Sequence, residues 1–466
     1  MPLLIVLLGA VAGLLPLGTR IFVHSFITGV HEYEAAFVYA TDILLFLTIL
    51  VLARRYRTEI RTTFRHNGGW FFVAWGVAGL AATIGAPSVG LALYSLVRMA
   101  TGACFAFAVA ATTREPRYLR IILILTICAG LAQSAIGFAQ FKEQRSVGLA
   151  VFGEPLLESH TGAASTIRAE GGRVLRAYGT MPHPNVYGAF IMLAVLAAAY
   201  WYLRYEDLLS AELFTHPRRW WTMPRALGVL NQYVTHRYFY ARLLLAACTF
   251  ILIVALALSF SRSAWIATVV ALLVLAVMRL WSTRSTGEGV RLLAMLAACT
   301  VVTYGIFAPI IRPRAMLTQS EPAVRDRLAY INIGLTIAEN NPGGVGPGNQ
   351  VLYGVEQRLY QDQGMHAVWA WEPVHTMYLL ILGEYGLLGL LSFLVILGMV
   401  AWHLLRGEKT LERDWALAAL AGVLTLGLFD HFLWTLQPGR LMLWLVIGLA
   451  IGQGAALIKV RSTKRQ

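Results

Sequence analysis

Runs of roughly 20 consecutive apolar residues, long enough to cross the hydrocarbon core of a bilayer, recur along this chain and constrain its fold more than any other feature. Inside lipid the backbone finds no water, so each run must satisfy its own amides and carbonyls as a helix. Twelve runs are predicted, near residues 2–19, 34–53, 70–86, 91–112, 119–139, 185–203, 239–258, 263–281, 292–311, 376–405, 414–433 and 439–458. Only 13% of the 466 residues are charged, against roughly 25% in soluble domains. The expectation is an all-α polytopic membrane protein, a single integral domain over residues 1–466.

The first run, MPLLIVLLGAVAGLLPLG, lacks the basic start of a cleavable signal and reads as a span. Cys104, Cys128, Cys248 and Cys299 fall inside apolar runs without CxxC spacing, so they read as packing residues with no disulfide or metal role. The tenth run is long and contains Gly386 and Gly389, which predicts a tilt or a break. Asp42 and Arg98 lie at matching depths in the second and fourth runs, and intramembrane charges are costly unless paired. An Asp42–Arg98 ion pair is expected.

The formal charge of +14 suits nucleic acid poorly, because the basic residues sit between apolar runs. Arginine and lysine bias sets topology, and it puts both termini in the cytoplasm. Two long outer loops, 140–184 and 312–375, nevertheless carry basic residues on the side that the bias disfavours: Lys142, Arg145, Arg168, Arg173 and Arg176 in the first, Arg312, Arg314, Arg325, Arg327 and Arg358 in the second. Guanidinium forks bind phosphate bidentately, so these loops read as an anion site. The basic, aromatic segment 204–238 reads as an interfacial helix on anionic lipid.

Three motifs could carry chemistry. In RAYGTMPHPNVYG (176–188) Gly179, Pro182 and Pro184 force a turn and Asn185 can cap the next helix; Arg176 and His183 are candidate binding residues. In SFSRSAWIA (259–267) Arg262 has almost no loop to escape into, and an ionisable residue in that setting is a functional candidate. In RDRLAYINIGLTIAENNPGGVGPGN (325–349) Leu328, Ile331, Leu335 and Ala338 recur at helical spacing and predict an amphipathic helix against the membrane. Arg325 and Arg327 point to different faces of it. The glycines that follow, Gly346 among them, let backbone approach a ligand, although no strand precedes them and GK[ST] is missing. Asn349 ends this turn. His375 then opens the tenth run, with Tyr378 one turn on. A neutral imidazole is a suitable general base near neutral pH. A metal set of His366, Glu372 and His375 lacks a recognised ligand spacing, and no metal is expected.

At these residues the chain resembles the O-antigen ligase and polymerase superfamily. Three segments match its pattern in order: RAYGTMPHPN, SRSAW, and RLAYINIGLTIAENNPGGVGPGN followed by HTMYLLILGEYGLLGLL. The resemblance implies a GT-C-like glycosyltransferase with a helical periplasmic loop region in the bacterial inner membrane. It would take glycan from undecaprenyl pyrophosphate and pass it to lipid A–core oligosaccharide, inverting the anomeric centre without a metal or other cofactor. By the same resemblance His375 is the general base, Arg262 and Arg327 hold pyrophosphate and Arg176 assists. The turn reads Pro-Gly-Gly-Val-Gly where the family usually has a bulky residue after proline, which predicts a more flexible turn. A polymerase of the same superfamily is the near alternative. A lipid-linked glycan transporter is the distant one, and it would need a polar path through the bundle and internal repeats that the sequence does not show.

Overall fold

The computed structural model describes residues 2–26, 32–55, 57–66, 68–158, 164–169, 172–215, 237–283, 286–315 and 322–454. Every predicted run coincides with a helix: α1 (Pro2–Leu14), α2 (Ala40–Arg55), α4 (Gly69–Ala82), α5 (Val89–Thr113), α6 (Pro116–Glu143), α7 (Pro184–Thr215), α8 (Arg237–Leu258), α9 (Arg262–Thr283), α10 (Thr286–Ala315), α14 (Met377–Arg406), α15 (Leu411–Phe429) and α17 (Gln437–Gly454). Shorter helices lie between them: α3 (Arg57–His66), α11 (Pro322–Asn340), α12 (Gln350–Glu356), α13 (Leu359–Asp362) and α16 (Phe432–Thr435). Among the described residues seven helices are long and apolar enough to cross a membrane, and α1, α2 and α4 hold shorter apolar stretches. The protein is an all-α polytopic membrane protein.

Burial separates the helices. Within its spanning window α7 is 94% buried, and every residue of α17 is buried, so these two form the core. The others pack around them: α8 along α7, α5 along α17, α9 along α15, and α4 along α14. Of the basic segment 204–238, α7 takes the part up to Thr215, and 216–236 lie outside the described residues.

Two expectations are corrected. Residues 35–39 are not helical: β2 (Ala35–Tyr39) pairs antiparallel with β1 (Arg20–Ser25). The alternating aromatic and β-branched residues of RIFVHS and AAFVY favour strands, and the Asp42 carboxylate accepts the Tyr39 amide at 2.9 Å, starting α2 only after it. The loop 140–184 is not simply helical either, since β3 (Thr166–Ala169) and β4 (Gly172–Leu175) form a second hairpin. In α11 the buried stripe is Tyr330, Ile333, Gly334 and Ile337, packed on α14. Leu328 and Leu335, on the face expected to lie against the membrane, are exposed, at 58% and 45%. The helix is apolar on two faces, and periodicity alone does not say which one meets protein.

The break in α14 falls at Gly386, with φ 68° and ψ −174°. The glycine turn fills it. Val345 N–H donates to the Gly383 carbonyl at 2.9 Å and Gly346 N–H to the Glu384 carbonyl at 3.0 Å, while Pro342 O accepts the Leu387 amide at 3.0 Å. Three of the groups at the break are thus paired, as burial requires. A Cβ on Gly386 would come within 2.5 Å of Gly343 C and Pro342 O, and one on Gly344 within 2.5 Å of Glu384 O. Gly344 therefore serves close docking and the turn is pinned by these bonds, whereas a Cβ on Gly343, the residue after the proline, would meet nothing within 4 Å.

The Asp42–Arg98 pair forms, at 3.2 Å. Gln437 on α17 joins it by donating from Nε2 to Asp42 Oδ1 at 2.8 Å and accepting from Arg98 Nη2 on its own oxygen. This ties α2, α5 and α17 together. Because Gly386 occupies a backbone region open to glycine alone and touches a neighbouring backbone, Gly386→Ala should cost at least about 2 kcal/mol; a lowered thermal midpoint of the purified protein measures it, and an unchanged midpoint contradicts the docking argument.

Candidate active site

Most of the chemistry gathers where α7, α14 and α16 begin, α15 ends and α11 crosses. His375 lies two residues before α14, with its side chain 17% exposed. Its Nδ1 lies 3.1 Å from the Pro373 carbonyl oxygen. That oxygen can only accept, so Nδ1 carries the proton and Nε2 keeps its lone pair. Tyr330 of α11 stacks on the ring at 4.8 Å, with its hydroxyl held by Ala370 O at 2.8 Å. His431 meets the ring edge-on at 5.0 Å, and Tyr33 meets His431 at 5.5 Å. The imidazole is walled by aromatic surfaces that leave it few orientations.

Burial lowers the His375 pKa below its ordinary value, with Arg327 pushing the same way and Asp430 against it. His375 is therefore neutral at neutral pH. Glu372 Oε2 lies 3.4 Å from His375 Nε2. Burial, with Asp430, Glu32 and Asp326 nearby, pushes the Glu372 carboxyl up to about 7. An imidazole lone pair thus sits beside a carboxyl that gains and loses its proton near neutrality.

Asp430 is the hub behind the histidines. Its Oδ2 accepts from Asn185 Nδ2 at 2.6 Å and its Oδ1 from the His431 amide at 2.8 Å. Burial alone would raise this carboxyl, but His431, His375, His183 and Arg327 around it hold it below its ordinary value. Asn185 was expected to cap α7. Pro184 instead takes the first helical position, which leaves Asn185 free to bridge. Its Oδ1 accepts Arg176 Nη2 at 2.7 Å. Arg176 also donates from Nε to Ser259 O at 2.7 Å and from Nη1 to Ser165 Oγ at 2.8 Å. The buried Arg176 therefore clamps the α8–α9 hairpin to the start of α7 through all three of its nitrogens. His183 accepts the Asn185 amide on Nδ1 at 3.1 Å, and burial, with Arg176 next, drives its pKa down to about 3.

The other predicted residues divide clearly. Arg327 acts electrostatically on both His375 and Asp430, while the Arg325 side chain is 82% exposed, so the two do face different ways. Arg262 is the first residue of α9, in the hairpin that Arg176 clamps. Tyr378 donates to the Leu424 carbonyl at 3.0 Å and locks α14 to α15. Asn349 is fully buried: its oxygen accepts the Ser88 amide at 2.8 Å and its Nδ2 donates to Ser88 O and Pro347 O. Gly346, at φ +93°, packs on Ala86. Tyr378, Asn349 and Gly346 thus position helices and show no contact with the histidines.

Sequence reasoning missed His431 and treated Asp430 only as a costly charge. The signal was present: FDHF places an acid and an imidazole together where two apolar runs meet. It also paired Glu372 and His375 with His366, whereas the fold supplies His431. Glu372, His375 and His431 each offer a ligand atom within 4.8 Å of the others, a spacing that a divalent cation could bridge.

The histidines set a pH dependence. His183 and His431 are both held down to about 3, chiefly by burial. Unfolded, they return to about 6.5. Between those values the unfolded chain binds protons that the folded chain refuses, so stability falls as pH drops through that window. The thermal midpoint of the solubilised protein should decline from about pH 6.5 to about pH 4, less steeply in His431→Gln; an equal slope in wild type and variant contradicts this assignment.

No curated protein matches the chain. The family model described as O-antigen ligase matches residues 247–394, from within α8 to the middle of α14. That family comprises membrane enzymes of glycosyltransferase type, whose partners are a lipid-linked glycan and a lipid acceptor. The matched stretch contains Arg262, Arg327 and His375, and over it the chain is similar to the O-antigen ligase family.

Proposed function

We propose that this protein ligates O-antigen polysaccharide from undecaprenyl pyrophosphate onto lipid A–core oligosaccharide, at the periplasmic face of the bacterial inner membrane. The two arginine-bearing loops, 140–184 and 312–375, are the periplasmic ones, and both termini are cytoplasmic. The observation that carries this reading is the open Nε2 lone pair of His375, fixed by the Pro373 carbonyl and kept unprotonated by burial.

The acceptor hydroxyl gives its proton to His375 Nε2 as its oxygen bonds to the anomeric carbon. The bond from that carbon to the pyrophosphate oxygen breaks, and the electron pair leaves with the lipid pyrophosphate. Attack opposite the leaving group inverts the anomeric centre. Arg262 and Arg327 stabilise the negative charge growing on the pyrophosphate. Arg325, exposed beside them, attracts the anionic headgroup. Arg176 acts as a positioning residue through Asn185 and Asp430. Glu372, with its pKa near neutrality, takes the proton from His375 to solvent.

The test is transfer by the purified protein, given lipid-linked glycan and rough lipopolysaccharide. His375→Ala should lower the rate by about 10²–10⁴-fold with the thermal midpoint preserved. Because folding depresses the His375 pKa, the acidic limb of kcat/KM should lie below about pH 6.5. Chelator should leave the rate unchanged, whereas loss with chelator would assign a metal to Glu372, His375 and His431. Elongation on the lipid carrier without lipopolysaccharide would make the protein a polymerase. Glycan crossing a vesicle membrane with no new bond would make it a transporter.

A further inference from the structure

The two histidines of the candidate site share an arrangement that proton transfer alone does not require. On His375, Nδ1 is committed to the Pro373 carbonyl, and Glu372 Oε2 stands 3.4 Å from Nε2. On His431, Nδ1 lies 2.8 Å from Thr435 Oγ1, and that hydroxyl donates to the His431 carbonyl at 3.4 Å. Nδ1 therefore carries the His431 ring proton, and Nε2 keeps its lone pair. Among the described residues nothing donates to that lone pair. Metal-binding histidines are held in this way, with one ring N–H fixed on an acceptor that sets the tautomer and aims the other nitrogen.

Glu372 completes a set of two histidines and one carboxylate whose ligand atoms lie within 4.8 Å of one another. Among the described residues no other group of three His, Cys, Asp or Glu comes as close. Bonds of about 2.1 Å to a tetrahedral ion put ligand atoms roughly 3.4 Å apart, so the widest gap must close by about 1 Å. The Glu372–His375 pair already stands at that separation, and the Glu372 side chain, 40% exposed, is free to swing.

The charge around the set suits a dication. Asp430 acts on both histidines and on Glu372, and Glu32 and Asp326 add to the field at Glu372. Arg327, and Arg20 as the ion-pair partner of Glu32, oppose it. Glu372 and Asp430 together match the charge of a divalent ion. Two imidazoles favour zinc or a similar transition ion over magnesium and calcium, which prefer oxygen.

We propose that Glu372, His375 and His431 form an inhibitory zinc site, in which the bound ion occupies the His375 Nε2 lone pair and so keeps the imidazole from taking a proton. The binding stands on geometry alone, whereas the inhibition rests on the general-base role proposed above for His375.

Full-length protein in nanodiscs, freed of any affinity tag, is stripped with chelator and titrated with Zn²⁺. Equilibrium dialysis should find one saturable tight site per chain. X-ray absorption at the zinc edge should show nitrogen and oxygen neighbours without sulfur, which excludes the four cysteines. Glu372→Gln and His431→Gln should each weaken binding at least about tenfold, and Thr435→Val, which removes the acceptor behind His431, by about 10–100-fold. Glycan transfer, plotted against free Zn²⁺ because the pyrophosphate donor also binds the ion, should fall along the same curve and return with chelator. Equal Mg²⁺ should change nothing. A wild-type chain without a saturable site would overturn the proposal whatever reaction the protein performs, and so would an affinity unchanged in both ligand variants. Zinc that binds as described yet leaves transfer undiminished would support the site but overturn the inhibition, and with it the role of His375 as base. If His431→Gln does not fold, the partly exposed Glu372→Gln still decides.

Discussion

A helix that breaks inside a membrane frees backbone groups that lipid cannot bond, and that constraint organises the catalytic end of this protein. The break in α14 at Gly386 is tolerated because the turn 342–346 inserts its own amides and carbonyl into the gap. The insertion fixes where α11 ends and α12 begins. It also sets the path of the chain back to Pro373 and His375. Glycine is required at Gly344 and Gly386 because the two backbones approach more closely than any Cβ permits. The imidazole that the proposed reaction needs is thus placed by a repair of helix backbone rather than by a dedicated loop.

Around that frame, charge is handled by pairing. Near the histidines, Asp430 has polar neighbours on every side, and the chain of contacts Arg176, Asn185, Asp430, His431 links α7, the α8–α9 hairpin and the end of α15. Rigidity there follows from consecutive satisfied bonds, which hold a reacting group within the small tolerance that proximity effects demand.

Much of this was legible in the sequence. Every apolar run became a helix, the Asp42–Arg98 pair formed, and the long tenth run broke at Gly386. Arg327 is near enough to act electrostatically on His375. Other readings failed for identifiable reasons. Arg176 looked like a free cation because its partners, Ser259 O and Asn185, are non-local or chemically plain. His431 gave no periodic or spacing signal that linked it to His375.

The sequence by itself determined the architecture, because the cost of unpaired backbone in lipid leaves helices as the only solution for runs of this length and composition. It also marked His375 and the arginines as candidates, because ionisable groups at the ends of apolar runs are few enough to stand out. Only the tertiary structure decided which of them meet. Asp430 and His431 reach His375 across a sequence gap of a whole helical hairpin. Contacts of that kind depend on how helices pack against each other, and helical packing leaves no period in the chain to read.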